Sequence, residues 1–497
     1  MTRKQLLLII ASAILTSLSF HPIGLHFLAW FGLVPLLFAI DNIKPSFAFK
    51  SGIIFGFLFS LFSLFWLVFL QIEINIKILL LFGLILMFLY FGLYYGTGLL
   101  IANKIGLWFL PFILAGLEFI RGIGELGFPW LSFGYSQARY PIVIQQAAIY
   151  GIYGLSFWIV LINIIVYKLI KLRRAEYYVM FIIMFGLPLL YGVLRVKEPG
   201  GEFISVGVVQ PNIDPNLKFT KAMREQTFNR LIYLSEKGGK ITHEKTGEPF
   251  DIIIWPETAI PLFLQFPGKY QEAVYELSNR INTPIFTGTP IYDFKNRETY
   301  NGAVLIEPKK GITQEYKKIH LVPFGEHIPF DNYIPLFKKI DVGGGDYASG
   351  KEYKIFKSKG LKFSCLICFE SIFPELSRAF VKDGADLLIN ITNDGWFGKI
   401  SGPQQHNDMA ILRTVENGVP LARSANTGIS MIVDKYGRIL VETGLFKEDF
   451  ISSRVSIEHE RTIYQIIGHI FPIISLLFIT VVLVCRIRIR KRNKRVI

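Results

Sequence analysis

Cysteine is nearly absent from this chain of 497 residues: only Cys365, Cys368 and Cys485 occur, which excludes a disulfide framework. Cys365 and Cys368 form a C-x-x-C pair, yet positions three apart on a strand face opposite sides, so one strand cannot present both to a metal. No metal cluster or dinucleotide loop is visible. The histidines, His320, His327 and His406 among them, are scattered, and no cofactor is expected. Charge is scarce as well, at 18% of residues against 52% hydrophobic with 44 phenylalanines, which places the chain among membrane proteins rather than soluble enzymes. The formal charge of +15 is spread over membrane-flanking loops and the last dozen positions, with no aromatic-interleaved basic face. It reads as topology, and no nucleic-acid partner is expected.

What the chain does have is long apolar runs, and it is too long for one ordinary core. They lie at Gln5–Phe20, Ile23–Ile40 and at about 47–70, 76–101, 106–120, 152–170 and 177–195. Each is close to the ~20 residues that cross a bilayer. Ala11-Ser12-Ala13 mimics a cleavage site, but a second apolar run follows at once, so the first segment reads as a retained helix. With Arg3 and Lys4 in the cytoplasm, the richer basic loops (Lys44 and Lys50; Lys104; Lys168, Lys171, Arg173 and Arg174) alternate onto the same side. Residues 1–195 are therefore expected to be a seven-helix transmembrane domain, delivering 203–456 outside the cytoplasm. A C-terminal helix at 463–485 returns the chain to a basic cytoplasmic tail at 486–497. Phe128–Tyr135, apolar but broken by Pro and Gly, reads as an interfacial anchor, with a lipid entrance as the sharper alternative.

Between 203 and 456 the pattern changes to short β-branched runs. Strands are expected at 204–210, 252–255, 285–289, 303–307, 316–321, 362–368, 387–392, 430–433 and 451–455, and helices at 220–237, 269–280, 375–383 and 405–417. This is a domain of mixed helices and strands around a sheet core.

Three of these segments end on a reactive group. Asp251–Glu257 runs apolar into a proline and a carboxylate, Tyr316–Glu326 places Lys318 before a turn, and Cys368 closes an apolar strand. Together they suit acyl transfer: Glu257 accepts the thiol proton, Lys318 stabilises an oxyanion, and Cys368 holds the acyl group as a thioester. Singly, each has a plainer reading: Glu257 as a helix cap, Lys318 or Lys317 as a strand charge, Cys368 as core.

Trp255-Pro256-Glu257-Thr258, the stretch Lys318–Glu326 with its Pro-Phe-Gly-Glu end, and Ile367-Cys368-Phe369-Glu370 resemble the Glu, Lys and Cys motifs of the nitrilase superfamily. With the flanking spans, they resemble the apolipoprotein N-acyltransferase family of the bacterial inner membrane, and the likeness covers essentially the whole chain. It implies a nitrilase-like αββα sandwich on the periplasmic side, a monomer with both termini cytoplasmic, and a ping-pong reaction. In it Cys368 takes a fatty acyl chain from a phospholipid and passes it to the α-amino group of an S-diacylglyceryl cysteine that begins an apolipoprotein. Glu257 is then the general base and Lys318, rather than Lys317, the family's lysine. Glu326 and Glu370 match acidic positions that orient Lys318 and the amine, and Phe369 matches an aromatic beside the nucleophile. The family often has Trp after its Gln-x-Asn-Ile segment; here Gln210–Ile213 leads instead to Phe219, which keeps an aromatic surface without the indole N–H.

An enzyme of this kind must open toward lipid, and Ile260–Phe266, Tyr333–Phe337 and Trp396-Phe397 are apolar enough to contact it, or else to pack within the domain. Gly343–Gly345 would let the second move as a lid. Asn393–Gly398 lines the pocket mouth or is ordinary turn chemistry. Two other readings remain: a membrane-anchored amidase with water as acceptor, and a transporter or lipid-binding protein without catalysis.

Overall fold

A computed structural model describes residues 1–70, 74–214, 217, 220–330 and 347–493. Phe219, Tyr333–Phe337 and Gly343–Gly345 lie outside the described residues. The chain divides into two compact units, Met1–Val196 with Ile466–Ile497, and Lys197–Gln465.

The first unit is helical: α1 (Arg3–Leu18), α2 (Val34–Ala39), α3 (Pro45–Leu64), α4 (Ile74–Ile105), α5 (Leu110–Arg121), α6 (Pro141–Ile144), α7 (Ala147–Leu172), α8 (Ala175–Arg195) and a C-terminal helix, Ile470–Asn493. Among the described residues, five helices are long and apolar enough to cross a membrane: Pro45–Phe69, Lys77–Ile105, Ala147–Leu172, Ala175–Arg195 and Ile470–Ile489. The seven runs before residue 200 thus do not all become helices of spanning length. Ile23–Ile40 is split into a 3-10 turn, His26–Trp30, and the six-residue α2, because Gly24, Gly32 and Pro35 interrupt it. The run at 106–120 opens as a 3-10 turn before Pro111 starts the 12-residue α5.

The segment Phe128–Tyr135 differs from its expected place at an interface. Trp130, Leu131, Ser132, Phe133 and Tyr135 are buried inside the helical unit. Phe133 stacks on Phe59 with centroids 5.7 Å apart. An irregular backbone buried there must find partners for its amides. Glu118 of α5 accepts from the Phe133 N–H at 3.0 Å and Ser156 of α7 from the Gly134 N–H at 2.9 Å.

The second unit is a four-layer αββα sandwich. Its first sheet has the order β12-β1-β2-β3-β4-β5 and its second β11-β10-β9-β8-β7-β6. The strands are β1 (Phe203–Gln210), β2 (Ile252–Ile254), β3 (Ile285–Asp293), β4 (Glu298–Glu307), β5 (Gly311–Lys317), β6 (Phe356–Ser358), β7 (Leu361–Ile367), β8 (Leu387–Thr392), β9 (Leu421–Ala425), β10 (Met431–Val433), β11 (Ile439–Glu442) and β12 (Asp449–Ser456). In each sheet three parallel strands, β1-β2-β3 or β7-β8-β9, form the middle and antiparallel strands flank them. Burial on both faces explains the unbroken apolar runs of β2 and β7.

Helices α9 (Lys221–Thr246) and α10 (Lys269–Arg280) cover the outer face of the first sheet, where Leu231, Leu234, Val274 and Leu277 meet Ile253, Trp255, Ile285 and Val304. The Trp255 indole N–H donates to Ser235 of α9 at 2.9 Å. Helices α11 (Pro374–Lys382) and α12 (Gly402–Asn417) cover the second sheet. Between the sheets, Phe286 of β3 stands edge-on to Phe356 of β6 and Phe363 of β7 at 5.0 and 5.3 Å. The expected loop Ile260–Phe266 divides: Ile260 and Leu264 are core, while Phe266 is exposed beside Phe294.

Truncating the ring that locks the two sheets together should leave a cavity. Phe286→Ala is expected to destabilise the unit by ~3–5 kcal/mol, whereas Phe294→Ala, at an exposed tip, should cost under ~0.5 kcal/mol. Thermal unfolding of the two purified variants in detergent checks this.

Candidate active site

Glu257, Lys318 and Cys368 each fall just beyond the C-terminal end of a strand, β2, β5 and β7 respectively. β5, two antiparallel steps from β3, runs in the same direction as β2, so Glu257 and Lys318 leave the first sheet at the same end. Lys318 continues the β5 ladder by one bond, its N–H donating to the Asn301 carbonyl at 2.8 Å, and then leaves the sheet. Glu257 reaches its place through a tight turn in which Thr258 has φ +45°. Gly288 of β3 makes the turn possible: a Cβ there would stand 2.5 Å from the Thr258 nitrogen and 2.7 Å from the Glu257 Cα. Cys368 has φ +51°, a left-handed conformation that is strained for a residue with a side chain.

The Lys318 ammonium is buried between two carboxylates. Its Nζ lies 2.8 and 3.0 Å from the two oxygens of Glu326 and 3.7 Å from Glu257 Oε1. Asn301 donates to both acids, at 2.8 Å to Glu257 and 2.7 Å to Glu326. Glu326 also accepts from the Val322 N–H at 2.9 Å, and Glu257 from the Asn393 N–H, beyond β8, at 3.0 Å. Burial opposes the Lys318 charge, but Glu326 and then Glu257 outweigh it, so the ammonium pKa is held above its ordinary value. Burial likewise opposes the charge on Glu326, and Lys318 more than offsets it, keeping that carboxyl below its usual range. Lys317, one residue earlier, points elsewhere, pairing with Asp293 at 2.8 Å.

Cys368 keeps some exposure, yet the protein packed around its thiol, and next the charge of Glu257, push the thiol pKa up; Lys318 and Thr392 pull against them. The resting Sγ of Cys368 is therefore a thiol, with the Glu257 carboxylate as the neighbouring group whose charge most favours that form. Glu370 takes no cation directly. Its Oε1 accepts from the Tyr316 hydroxyl and the Ile319 and His320 amides at 2.8, 2.7 and 3.1 Å, and its Oε2 from the Ile367 amide at 2.7 Å. It thus ties the lysine turn to the cysteine turn. Burial pushes its pKa up to about 7, against the pull of these amides and of Lys318.

Phe369 is mostly buried, edge-on to Phe373 at 5.1 Å, and Trp396 is 37% exposed on the turn that follows β8. Sequence reading missed Asn301 and gave Tyr316 no role of its own, since a lone polar residue on a strand carries no pattern. It also read Asp394 as turn chemistry or pocket mouth and His406 as scattered. Both are fully buried, paired with each other at 2.9 Å and with Arg423 of β9.

Removing the negative charge of Glu257 should lower the thiol pKa. In a Cys485→Ser background, Glu257→Gln is expected to speed iodoacetamide alkylation of Cys368 at pH 8, by about tenfold for each pKa unit, and Lys318→Met to slow it. Peptide mass mapping separates Cys368 from Cys365. Gly288→Ala should displace the Glu257 turn and cut turnover by ~10²-fold, read as rate of product formation by the folded variant.

The chain matches the family model described as carbon-nitrogen hydrolase over residues 205–464, and that of the apolipoprotein N-acyltransferase N-terminal domain over residues 12–165. An apolipoprotein N-acyltransferase from Geobacter metallireducens is 34% identical over 495 residues, covering 94% of this chain and 92% of that protein. One from Chlorobaculum tepidum is 31% identical over 516 residues, covering 95% of each. Among solved structures, Saccharomyces cerevisiae Nit3, a member of the nitrilase superfamily, is 18% identical with a TM-score of 0.40, covering 55% of this chain and 96% of that one. A thiol, a carboxylate and a buried ammonium at the strand ends of an αββα unit, carried by a chain that aligns nearly end to end with such relatives, lead to one assignment: the chain belongs to the apolipoprotein N-acyltransferase family, and its second unit is a carbon–nitrogen hydrolase domain.

Proposed function

We propose that this chain transfers a fatty acyl group from a phospholipid, through a thioester on Cys368, to the α-amino group of the N-terminal S-diacylglyceryl cysteine of an apolipoprotein. The observation that carries the reading is Lys318, a buried ammonium held by Glu326 and placed beside Glu257 and the Cys368 turn. Catalysis of acyl transfer needs a positive charge fixed where an oxyanion develops.

In the first half-reaction Sγ attacks the ester carbonyl of the donor while its proton passes to Glu257. Lys318 faces the oxyanion; collapse breaks the ester C–O bond, and the leaving lysophospholipid alkoxide takes the proton from Glu257. In the second, the neutral amine attacks the thioester carbonyl and gives a proton to Glu257. The C–S bond breaks, Cys368 is reprotonated, and an amide leaves. Glu326 holds Lys318, Phe369 and Trp396 border the nucleophile, and Phe219 offers an aromatic surface to the lipid chains.

The long apolar helices support action at a membrane. The basic loops and the run from Arg486 to Arg495 support an inner-membrane orientation with both termini in the cytoplasm and residues 203–456 on the periplasmic side. The carbon–nitrogen hydrolase match favours a second reading, a membrane-anchored amidase in which Cys368 takes the acyl group of a small or lipid amide, releasing the amine, and passes it to water.

Intact-mass measurement after incubation with phospholipid or with a fatty amide, alongside Cys368→Ala, decides between them. Expected is a hydroxylamine-labile fatty-acyl adduct that needs Cys368 and is discharged by a diacylglyceryl lipopeptide to give an amide. An adduct formed from a fatty amide rather than from phospholipid, and discharged by water alone, would establish the amidase, and the absence of an adduct from either donor would sink both.

A further inference from the structure

Behind Cys368 lies a second buried cluster that the transfer chemistry does not use. Asp394 follows β8, His406 is on α12 and Arg423 on β9, and none is more than 1% exposed. Arg423 donates to Asp394 Oδ2 at 2.6 Å and also to Asn390. Thr392 donates to Asp394 Oδ1 at 2.8 Å. His406 Nδ1 lies 2.9 Å from that same oxygen and 3.0 Å from Arg423 Nη2. On the other side of the ring, Nε2 lies 3.1 Å from the main-chain carbonyl oxygen of Cys368 and 2.9 Å from Ser371 Oγ, whose hydroxyl donates to that carbonyl at 3.0 Å. A neutral imidazole donates from one nitrogen only: with Nε2–H on the Cys368 carbonyl, Nδ1 accepts from Arg423, whose guanidinium is in turn held by Asp394.

A fully buried ion pair is poor value for stability alone, because desolvation consumes most of the attraction. What this one touches is more telling. β7 ends at Ile367, so the ladder does not hold residue 368, and that residue sits at φ +51°. A left-handed backbone carrying a side chain persists only where its surroundings over-determine it. The Cys368 carbonyl opens the one-turn 3-10 helix Cys368–Ile372, and the side chains that meet it there are His406 and Ser371.

We propose that His406, clamped by Asp394 and Arg423, is a positioning residue for the nucleophile. With Ser371 it fixes the carbonyl of Cys368, and so the backbone rotation that aims the thiol. It touches no substrate. Its consequence for turnover rests on the acyl-transfer reading above; its consequence for thiol geometry does not.

The test uses the full-length protein in detergent with Cys485→Ser, comparing His406→Leu, His406→Gln and Ser371→Ala. Three quantities are read: the alkylation rate of Cys368 against pH, the rate of acyl-adduct formation across phospholipid concentrations, and the thermal midpoint. His406→Leu is expected to lower adduct formation at saturating donor by ~10–100-fold with the donor KM unchanged within about twofold, and to alter the alkylation profile. His406→Gln, whose amide N–H can still reach the carbonyl, should recover most of the loss, and Ser371→Ala should show a smaller loss of the same kind. A wild-type alkylation profile and adduct rate in His406→Leu, an effect confined to KM, or a glutamine variant no better than leucine would overturn the proposal. Should His406→Leu fail to fold, Ser371→Ala carries the test, and its matching wild type in both rates overturns the proposal equally. If the wild type forms no adduct, the function fails, and the alkylation profiles alone decide the positioning role.

Discussion

The site depends on one ammonium taken out of water. Lys318 is 0% exposed, and moving its charge inside costs several kcal/mol unless opposite charge stands beside it. Two carboxylates do, and they are held unequally. Glu326 is fixed by Lys318 through both oxygens, by Asn301 and by the Val322 amide, so its charge is locked in place. Glu257 is 3.7 Å from the same ammonium, beyond a full hydrogen bond. Glu326 is therefore the acid that pairs directly with the lysine, while Glu257 is held by Asn301 and the Asn393 amide. Lys318 and the two acids sum to one net negative charge if both are ionised. Burial first, and then the charge of Glu257, keep the neighbouring Cys368 thiol protonated against the pull of Lys318.

The two sheets divide the labour. Glu257 and Lys318 come from the first, Cys368 and the Asn393 amide from the second. Their geometry is only as good as the registration of one sheet on the other. The Phe286, Phe356 and Phe363 rings supply this in the core. At the rim Glu370 supplies it, with four donors drawn from both turns. A carboxylate used in this way is a staple rather than a reagent.

Much of this was legible in the sequence and some was not, for definite reasons. The runs at 269–280 and 387–392 are α10 and β8 to the residue, because amphipathic periodicity and two-sided burial are local properties. Strand β9 was not foreseen: Leu421–Ala425 is fully buried, but Arg423 and Ser424 in its middle erase the apolar run. Helix α12 was expected at 405–417, but not its burial: Gln405, His406, Asn407 and Asp408 look like a solvated face and are buried. Polar residues are buried when partners wait for them, and those of His406 lie at 368, 371, 394 and 423, out of reach of any local pattern. The reactive trio was legible only because three spaced motifs occurred together.

The first sheet is closed by the last strand of its unit. β12 pairs antiparallel along the whole of β1, from Phe203 opposite Ser456 to Gln210 opposite Asp449. The strand that begins the unit thus keeps one edge of hydrogen-bonding groups unfilled until nearly every later residue has been made. During synthesis that edge is a template for any extended segment that passes, including β-prone runs of this same chain. Fidelity of folding therefore hangs on how long β1 waits, which makes the pace of chain emergence a determinant of how much active enzyme results.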